Sequence, residues 1–210
     1  MTKTIIFDFD GTLANTKAFA YELYKKVTDQ YKVKQFSEDE FDHLKTLSLM
    51  DKFKVHNVSI LWLPIVARII RKTVGTVMDQ VKPYEGMIEL LTRLHESDYK
   101  IFIVSSNSKK NIEVFLKQYH IDYIDKIYGR AKYLKKHKVL NKLFKKFKID
   151  KTNAIYVGDE TRDIVSCQKI GLNIAAVTWG FDDEAQLAEK KPSFIANDAK
   201  NLEKYIFSVK

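Results

Sequence analysis

Four short patterns in this 210-residue chain set carboxylates, hydroxyls or lysines where apolar runs stop. The first is Phe7–Asp8–Phe9–Asp10–Gly11–Thr12–Leu13, in which two carboxylates, two residues apart, follow Ile5 and Ile6 and precede a glycine. In an extended chain both point to one face, and carboxylates buried together repel. A metal ion or a division of catalytic labour relieves that cost. The plain alternative is a solvated acidic turn, which the apolar lead-in disfavours. The second pattern, Ile103–Val104–Ser105–Ser106–Asn107, is an apolar run ending in hydroxyls. A hydroxyl and successive backbone N–H groups hold phosphate oxygens well, although Ser and Asn are also ordinary helix caps.

The third pattern, Leu134–Lys135–Lys136–His137–Lys138, stands before a helical stretch. A lysine there could offset charge on a transferring phosphoryl group, and three compete for that place with ordinary surface exposure. The fourth, Tyr156–Val157–Gly158–Asp159–Glu160–Thr161–Arg162–Asp163, ends another apolar run in carboxylates. Hard oxygen ligands at a strand end suit Mg²⁺, which needs one or two carboxylates when phosphate and water complete its octahedron. Helix capping by Glu160 or Asp163 is the competing use, and it is compatible with metal binding by Asp159.

These patterns need elements that deliver them to one place. Residues 3–8 read as a buried strand running into a turn at Gly11. From Thr16 the period becomes helical, with Phe19, Leu23, Val27 and Tyr31 on one side, and Ser37–Glu38–Asp39–Glu40 is a helix-start signal. Residues 58–81 are again helical in period. After Pro83 the texture alternates: helix 88–96, strand 100–104, helix 109–119, a short strand near Ile127, helix 137–147, strand 153–157, helix 161–170 and strand 173–177. Strands separated by helices require crossover connections. The predicted fold is therefore α/β, a Rossmann-like, mainly parallel sheet with helices on both faces. The helical stretch 15–82 is predicted to be an inserted cap domain, with 1–14 and 83–210 forming the core; the alternative is that these helices cover one face of the sheet.

Composition narrows the function classes. Hydrophobic residues at 45% and charged residues at 30% are ordinary globular usage, which argues against disorder or a fibrous repeat. The first residues show no signal-peptide pattern, and the longest apolar cluster is too short to span a bilayer. A single cysteine, Cys167, excludes an internal disulfide and suits a reducing, cytoplasmic setting. The five histidines lack metal-ligand spacing and receive no catalytic role. Lys and Arg number 36 against 27 Asp and Glu, a net charge of +9, and residues 126–148 contain no acid at all. Nucleic acid, an acidic surface or a phosphorylated metabolite would each suit that charge. Val139, Leu140, Leu143, Phe144 and Phe147 recur at helical spacing, which favours a solvated, lysine-rich helix face.

The order Asp8–Phe9–Asp10–Gly11–Thr12, Ser105, a helix-leading lysine and Gly158–Asp159–Glu160–Thr161–Arg162–Asp163 resembles the haloacid dehalogenase superfamily. Val177–Thr178–Trp179–Gly180–Phe181 is similar to its phosphoglycolate phosphatase-like branch. The likeness covers the α/β core; the cap matches by position and helicity alone. It implies that Asp8 is a nucleophile and that Asp10 serves first as general acid and then as general base. It implies Mg²⁺ bound by Asp8, the backbone carbonyl of Asp10 and Asp159, with Asp163 near or bridged by water. Ser105 and the backbone of Ser106 would hold phosphoryl oxygens, with Gly11, Thr12 and Asn107 completing the phosphate cradle. Thr12 is expected to bond within its own turn. Lys136 matches the family lysine best, while Lys135 and Lys138 stay open because the Lys-Pro pair of many relatives is missing.

Within that resemblance Asp10 points to phosphate esters, because dehalogenases and phosphonate-cleaving relatives lack an acid there. The implied activity is that of a phosphatase, a phosphoric monoester hydrolase, with a phosphomutase as the alternative. From another class, a catalytically weak phosphate- or nucleic-acid-binding protein would use the +9 charge, but the filled catalytic positions disfavour it. The expected partner is a small phosphorylated metabolite rather than nucleic acid or a membrane, and the chain is expected to be a monomer or homodimer. Substrate choice should lie in the cap, where Lys17, Tyr21, Lys54, His56, Trp62 and Arg68 are candidates that could equally pack or be solvated.

Overall fold

The computed structural model describes residues 3–47, 49–131 and 135–209. Six short strands, β1 (Thr4–Phe7), β2 (Lys100–Val104), β3 (Lys126–Tyr128), β4 (Ala154–Gly158), β5 (Asn173–Val177) and β6 (Phe194–Ala196), pair in parallel in the order β3-β2-β1-β4-β5-β6. β1 and β4 are buried along their whole length, as β-branched and aromatic residues allow when both faces are covered. Alternation sorts the side chains: Ile5, Phe7, Ile101, Ile103 and Val157 enter one core, while Ile6, Phe102, Val104 and Tyr156 enter the other. Because β2 and β3 lie to one side of β1 and β4 to β6 lie to the other, the chain reverses direction at β1. Ligand sites of open α/β sheets form at the carboxyl edge of such a reversal.

Helices cover both faces. α5 (Met87–Glu96), α6 (Lys109–Gln118) and α10 (Ala199–Ser208) pack on the Phe7 side, and α7 (Lys136–Phe147), α8 (Thr161–Gln168) and α9 (Glu184–Glu189) on the Tyr156 side. On α7 the apolar residues Leu140, Leu143 and Phe144 turn inward while Lys138, Lys142, Lys145 and Lys146 face solvent. The basic stretch is thus largely a solvated helix face. The elements after Val177, namely α9, β6 and α10, lie beyond the expected set; β6 has only three residues, too few to display a period.

Between β1 and β2 the chain is helical throughout: a single 3₁₀ turn (Thr16–Phe19), α1 (Ala20–Tyr31), α2 (Glu38–Thr46), α3 (Leu49–Val55), a second 3₁₀ turn (Ile60–Trp62) and α4 (Leu63–Val74). The Ser37 and Glu40 side chains cap each other's backbone, as the start signal required. The helix expected over 58–81 is shorter, because Pro64 is tolerated only in the first turn and Gly75 follows the last. Where the chain leaves and returns, Ala14 pairs antiparallel with Pro83, and the Asn15 N–H donates to the Lys82 carbonyl at 2.8 Å. Among the described residues no helix is long and apolar enough to cross a membrane.

Candidate active site

Asp8 follows the last residue of β1, and its N–H continues the ladder to the Val157 carbonyl at 2.8 Å. Its side chain is buried, with Oδ1 accepting from the Phe9 N–H at 2.7 Å and Oδ2 from the Lys136 ammonium at 2.8 Å. Burial alone would raise this carboxyl. The Lys136 and Arg162 charges and the Phe9 N–H overcome that effect and hold it below its ordinary value. Asp8 is therefore an anion, free of any helper base.

Lys136 opens α7, four residues before Leu140 and seven before Leu143, so it lies on the buried stripe of that helix. Its three protons go to Asp8, to Asp163 Oδ1 at 2.6 Å and to the Tyr156 hydroxyl at 2.8 Å. Burial opposes the charge, but Asp163 and Asp8 hold the ammonium above its ordinary value. Lys135 and Lys138 are exposed, so Lys136 is the one lysine of the three that touches Asp8. Tyr156 was not foreseen: its hydroxyl accepts from Lys136 and donates to the Val104 carbonyl at 3.2 Å, tying β4 to β2 beneath the ammonium.

Asp10 is half-buried and accepts from Asn107 Nδ2 at 2.9 Å. Burial and the neighbouring Asp8 charge raise its carboxyl to about 7, against the pull of the Asn107 amide. Two carboxyls, two residues apart, are thereby driven in opposite directions. Asn107 spends its other end on the Ser108 N–H and on Asn111 Nδ2, so its amide orients Asp10. Ser105 is fully buried, and its Oγ accepts from the Asn107 N–H at 3.1 Å. Ser106 stands at the partly open edge beside it.

Asp159 is fully buried and braced by its neighbours. The Thr12 hydroxyl donates to Oδ1 at 2.7 Å and the Phe181 N–H to Oδ2 at 2.9 Å. Thr12 thus bonds within its own turn through its backbone N–H, which donates to the Phe9 carbonyl at 3.3 Å, while its hydroxyl reaches across to the loop after β4. Gly11 makes this approach possible: at φ +76°, a Cβ would lie 2.1 Å from Asp159 Oδ2. Burial, with the charges of Glu160, Asp8 and Asp163, pushes the Asp159 carboxyl well up.

Asp163 is also fully buried, and burial with the Asp8 charge raises it to about 7 against the pull of Lys136. Among the described residues its Oδ2 has no hydrogen-bond partner. Oxygen atoms of Asp8, Glu160 and Asp163 lie within 4.8 Å of one another. Glu160 therefore does more than begin α8: its side chain makes no cap bond and instead joins this cluster while accepting from Arg162 Nε at 2.7 Å. Nothing in the sequence separates that use from capping.

The described residues of the four patterns meet at one edge of the sheet, where the carboxylate cluster joins Glu160, rather than the Asp159 that the resemblance implies, to Asp8 and Asp163. The family model for haloacid dehalogenase-like hydrolases matches residues 5–177. The chain belongs to that family. As a family member it is an enzyme, a hydrolase with a Rossmann-like core. A phosphoglycolate phosphatase of Synechococcus elongatus is 26% identical over 201 residues, covering 95% of each chain. Pyrophosphatase PpaX of Bacillus cereus is 28% identical over 214 residues, covering 95% of this chain and 94% of the relative. In structure, a haloacid dehalogenase-like hydrolase from Streptococcus pneumoniae superposes with a TM-score of 0.80 at 22% identity, over 97% of this chain and 98% of that one. That likeness speaks for the fold.

The helical insertion treats its candidates differently. Tyr21 packs on Tyr24 and Phe41, His56 bonds the Tyr24 hydroxyl at 3.1 Å, and Lys54 pairs with Asp51 on the surface. Trp62 and Arg68 are exposed, and Lys17 donates to the Gly180 carbonyl. Lys52, which the sequence did not single out, lies closer to the chemistry. Burial lowers its ammonium, while the charges of Asp182 and Glu160 pull it back up.

Proposed function

We propose that the protein is a Mg²⁺-dependent phosphatase that hydrolyses small phosphate monoesters through an aspartyl-phosphate on Asp8. The observation that carries this reading is the pairing of opposites at the end of β1. Asp8 is held anionic by Lys136 at 2.8 Å, and Asp10 is held by Asn107 at 2.9 Å with its proton retained to near neutrality. Family membership and the named phosphatases among its relatives support the same class.

The donor set fits Mg²⁺. Three carboxylates share one small volume, and a buried oxygen of Asp163 lacks a partner among the described residues, a costly arrangement that a divalent cation would relieve. Asp8, Glu160 and Asp163 would hold the ion, and the resemblance adds Asp159 and the Asp10 carbonyl as further ligands. Bound there, Mg²⁺ would offset the charge of the phosphoryl oxygens.

The chain's own residues do the rest. An Asp8 oxygen attacks phosphorus; as that O–P bond forms, the bond to the ester oxygen breaks and Asp10 gives its proton to the departing alcohol. Lys136 stays on the other Asp8 oxygen, and the Ser105 hydroxyl with the Ser106 N–H receives phosphoryl oxygens. Asp10, now a carboxylate, takes a proton from water, whose oxygen attacks the aspartyl-phosphate. Phosphate leaves, and Asp8 is an anion again. Residues 15–82 act as a cap domain above this edge, excluding bulk water and admitting substrate.

Phosphate release from a panel of esters, with Mg²⁺ or with excess chelator, tests this reading. Activity should need the metal and vanish in Asp8→Asn. Equal rates in wild type and Asp8→Asn would contradict it, and an isomerised ester without free phosphate would indicate a mutase.

A further inference from the structure

Exposed apolar side chains gather on the helical insertion. Among the described residues, seven of the eleven large hydrophobics that stand exposed belong to it, although it is the smaller part of the chain. Three of them meet at the start of α4: Leu61 is 83% exposed, Trp62 53% and Ile65 47%. Ser59 fixes the turn that presents the first two, its Oγ accepting from the Leu61 N–H at 3.3 Å and its carbonyl from the Trp62 N–H at 3.0 Å. Leu61, Ile65, Arg68 and Lys72 recur at four- and three-residue spacing and are all exposed, so they form one stripe. The opposite side of α4 is the one that packs. There Leu63 and Ala67 are half-buried, and Val74 is buried in one cluster with Leu23 of α1.

From Lys52 to Met78 the chain carries Lys52, Lys54, Arg68, Arg71 and Lys72 and no Asp or Glu. Lys54 pairs with Asp51, whereas among the described residues Arg68 and Lys72 make no salt bridge. A contiguous apolar patch marks an interface, and the charge on the stripe selects what covers it. A second copy would bring its own Arg68 and Lys72 against the same stripe, with no acid to separate like charges. A folded protein partner takes part of its register from hydrogen bonds, and apart from Trp62 and the two bases this stripe has none to offer. An anionic bilayer surface needs neither register nor acids. Leu, Ile and Trp side chains enter the boundary between headgroups and acyl chains, and the long stems of Arg and Lys reach lipid phosphates. Leu61 and Lys72 lie roughly 16 Å apart along the axis, with the apolar residues leading and the bases behind, so the helix would enter by its first turn.

We propose that Leu61, Trp62, Ile65, Arg68 and Lys72 form a docking face for an anionic phospholipid surface, on which the start of α4 lies in the interface without crossing it. This departs from the expectation that no membrane takes part. The lack of a bilayer-crossing helix among the described residues does not oppose it, because an interfacial helix needs no span. The net charge of +9 favours approach to the same surface. Docking of this kind is independent of the phosphatase reading.

Co-sedimentation with vesicles of pure phosphatidylcholine, or of equal parts phosphatidylcholine and phosphatidylserine, tests the face. Wild type should bind the mixed vesicles and leave the neutral ones, and raising salt from about 0.1 M to about 0.5 M should weaken binding several-fold. Leu61→Ser with Ile65→Ser and, separately, Arg68→Gln with Lys72→Gln should each weaken it at least about tenfold. All four side chains are exposed, so the unfolding temperature should stay near that of wild type. Lys142→Gln with Lys145→Gln removes the same charge from the exposed face of α7 and should weaken binding by less than about threefold. Fluorescence gives a second reading. Of the two tryptophans, Trp179 is tied to the Thr12 carbonyl at 3.1 Å, so a blue shift on mixed vesicles that disappears in Trp62→Phe reports entry of the stripe. No binding by wild type, equal binding to both kinds of vesicle, or an equal loss in the α7 variant would overturn the proposal. So would a concentration-dependent dimer in sedimentation velocity that dissociates on Leu61→Ser with Ile65→Ser, since the face would then belong to a second copy.

Discussion

The sheet edge and the helical insertion use the same kinds of residue to different ends. At the edge, Asp8, Lys136, Tyr156, Asp159 and Asp163 are almost wholly buried, and each has its position set by partners on other elements. In the insertion, Tyr21, Tyr24 and His56 spend their polar atoms on one another and on nearby carbonyls, while Leu61 and Trp62 remain 83% and 53% exposed. The sheet fixes this edge because β1, β2 and β4, which end at it, are each locked by two neighbours. A short helical insertion is fixed mainly by its own packing and by the point where the chain crosses. Chemistry therefore belongs to the rigid half, and the insertion contributes through the few groups that reach back: Lys17 and Lys52.

The contrast can be broken most forcefully at Lys136. Replacing it with Met leaves Asp8 and Asp163 buried without their cation, so stability should fall by about 3 kcal/mol in urea unfolding. Phosphate release should fall by roughly 10²–10³-fold, as expected when a preorganised charge is lost. A smaller loss is expected for Asn107→Ala. Freed from its amide, Asp10 should lose alignment, lowering kcat roughly tenfold while KM moves less.

The edge should also show itself in pH. Asp10 is raised from 3.8 to about 7 in the folded protein, so the folded state binds more protons than the unfolded state between those values. Stability of chelator-treated protein should therefore fall as pH rises through that window. Asp163 shifts the same way, and Asp10→Asn should flatten the curve without abolishing it. A rise in stability over that window would contradict the assigned direction. In the insertion, Tyr24→Phe removes bonds to His56 and the Phe36 N–H and should cost about 1 kcal/mol of thermal stability. Lys54→Ala, on an exposed pair, should change it by no more than about 0.5 kcal/mol.

Much of the edge was legible in the residues. The bounds expected for β2 and β5 coincide with the strands, because both are apolar runs closed by polar residues. The choice among Lys135, Lys136 and Lys138 stayed open, although a signal existed: Lys136 alone continues the inward stripe of Leu140 and Leu143. Asn107 as the orienter of Asp10, and Thr12 as the brace of Asp159, were hidden because a hydroxyl or amide at a strand end fits capping equally well. The insertion was less legible. Its aromatic and basic residues fit packing, solvent and substrate alike, and only the folded chain distinguishes Lys52 from Lys54.

The most direct test is to quench the enzyme with acid during turnover of an accepted ester with Mg²⁺ and map the phosphorylated peptide by mass spectrometry. The account predicts one phosphoryl group on Asp8, accumulating further in Asp10→Asn, where hydrolysis of the intermediate lacks its base. Phosphate release with the phosphoryl group on another residue, or with no covalent species under conditions that preserve acyl phosphates, would contradict it.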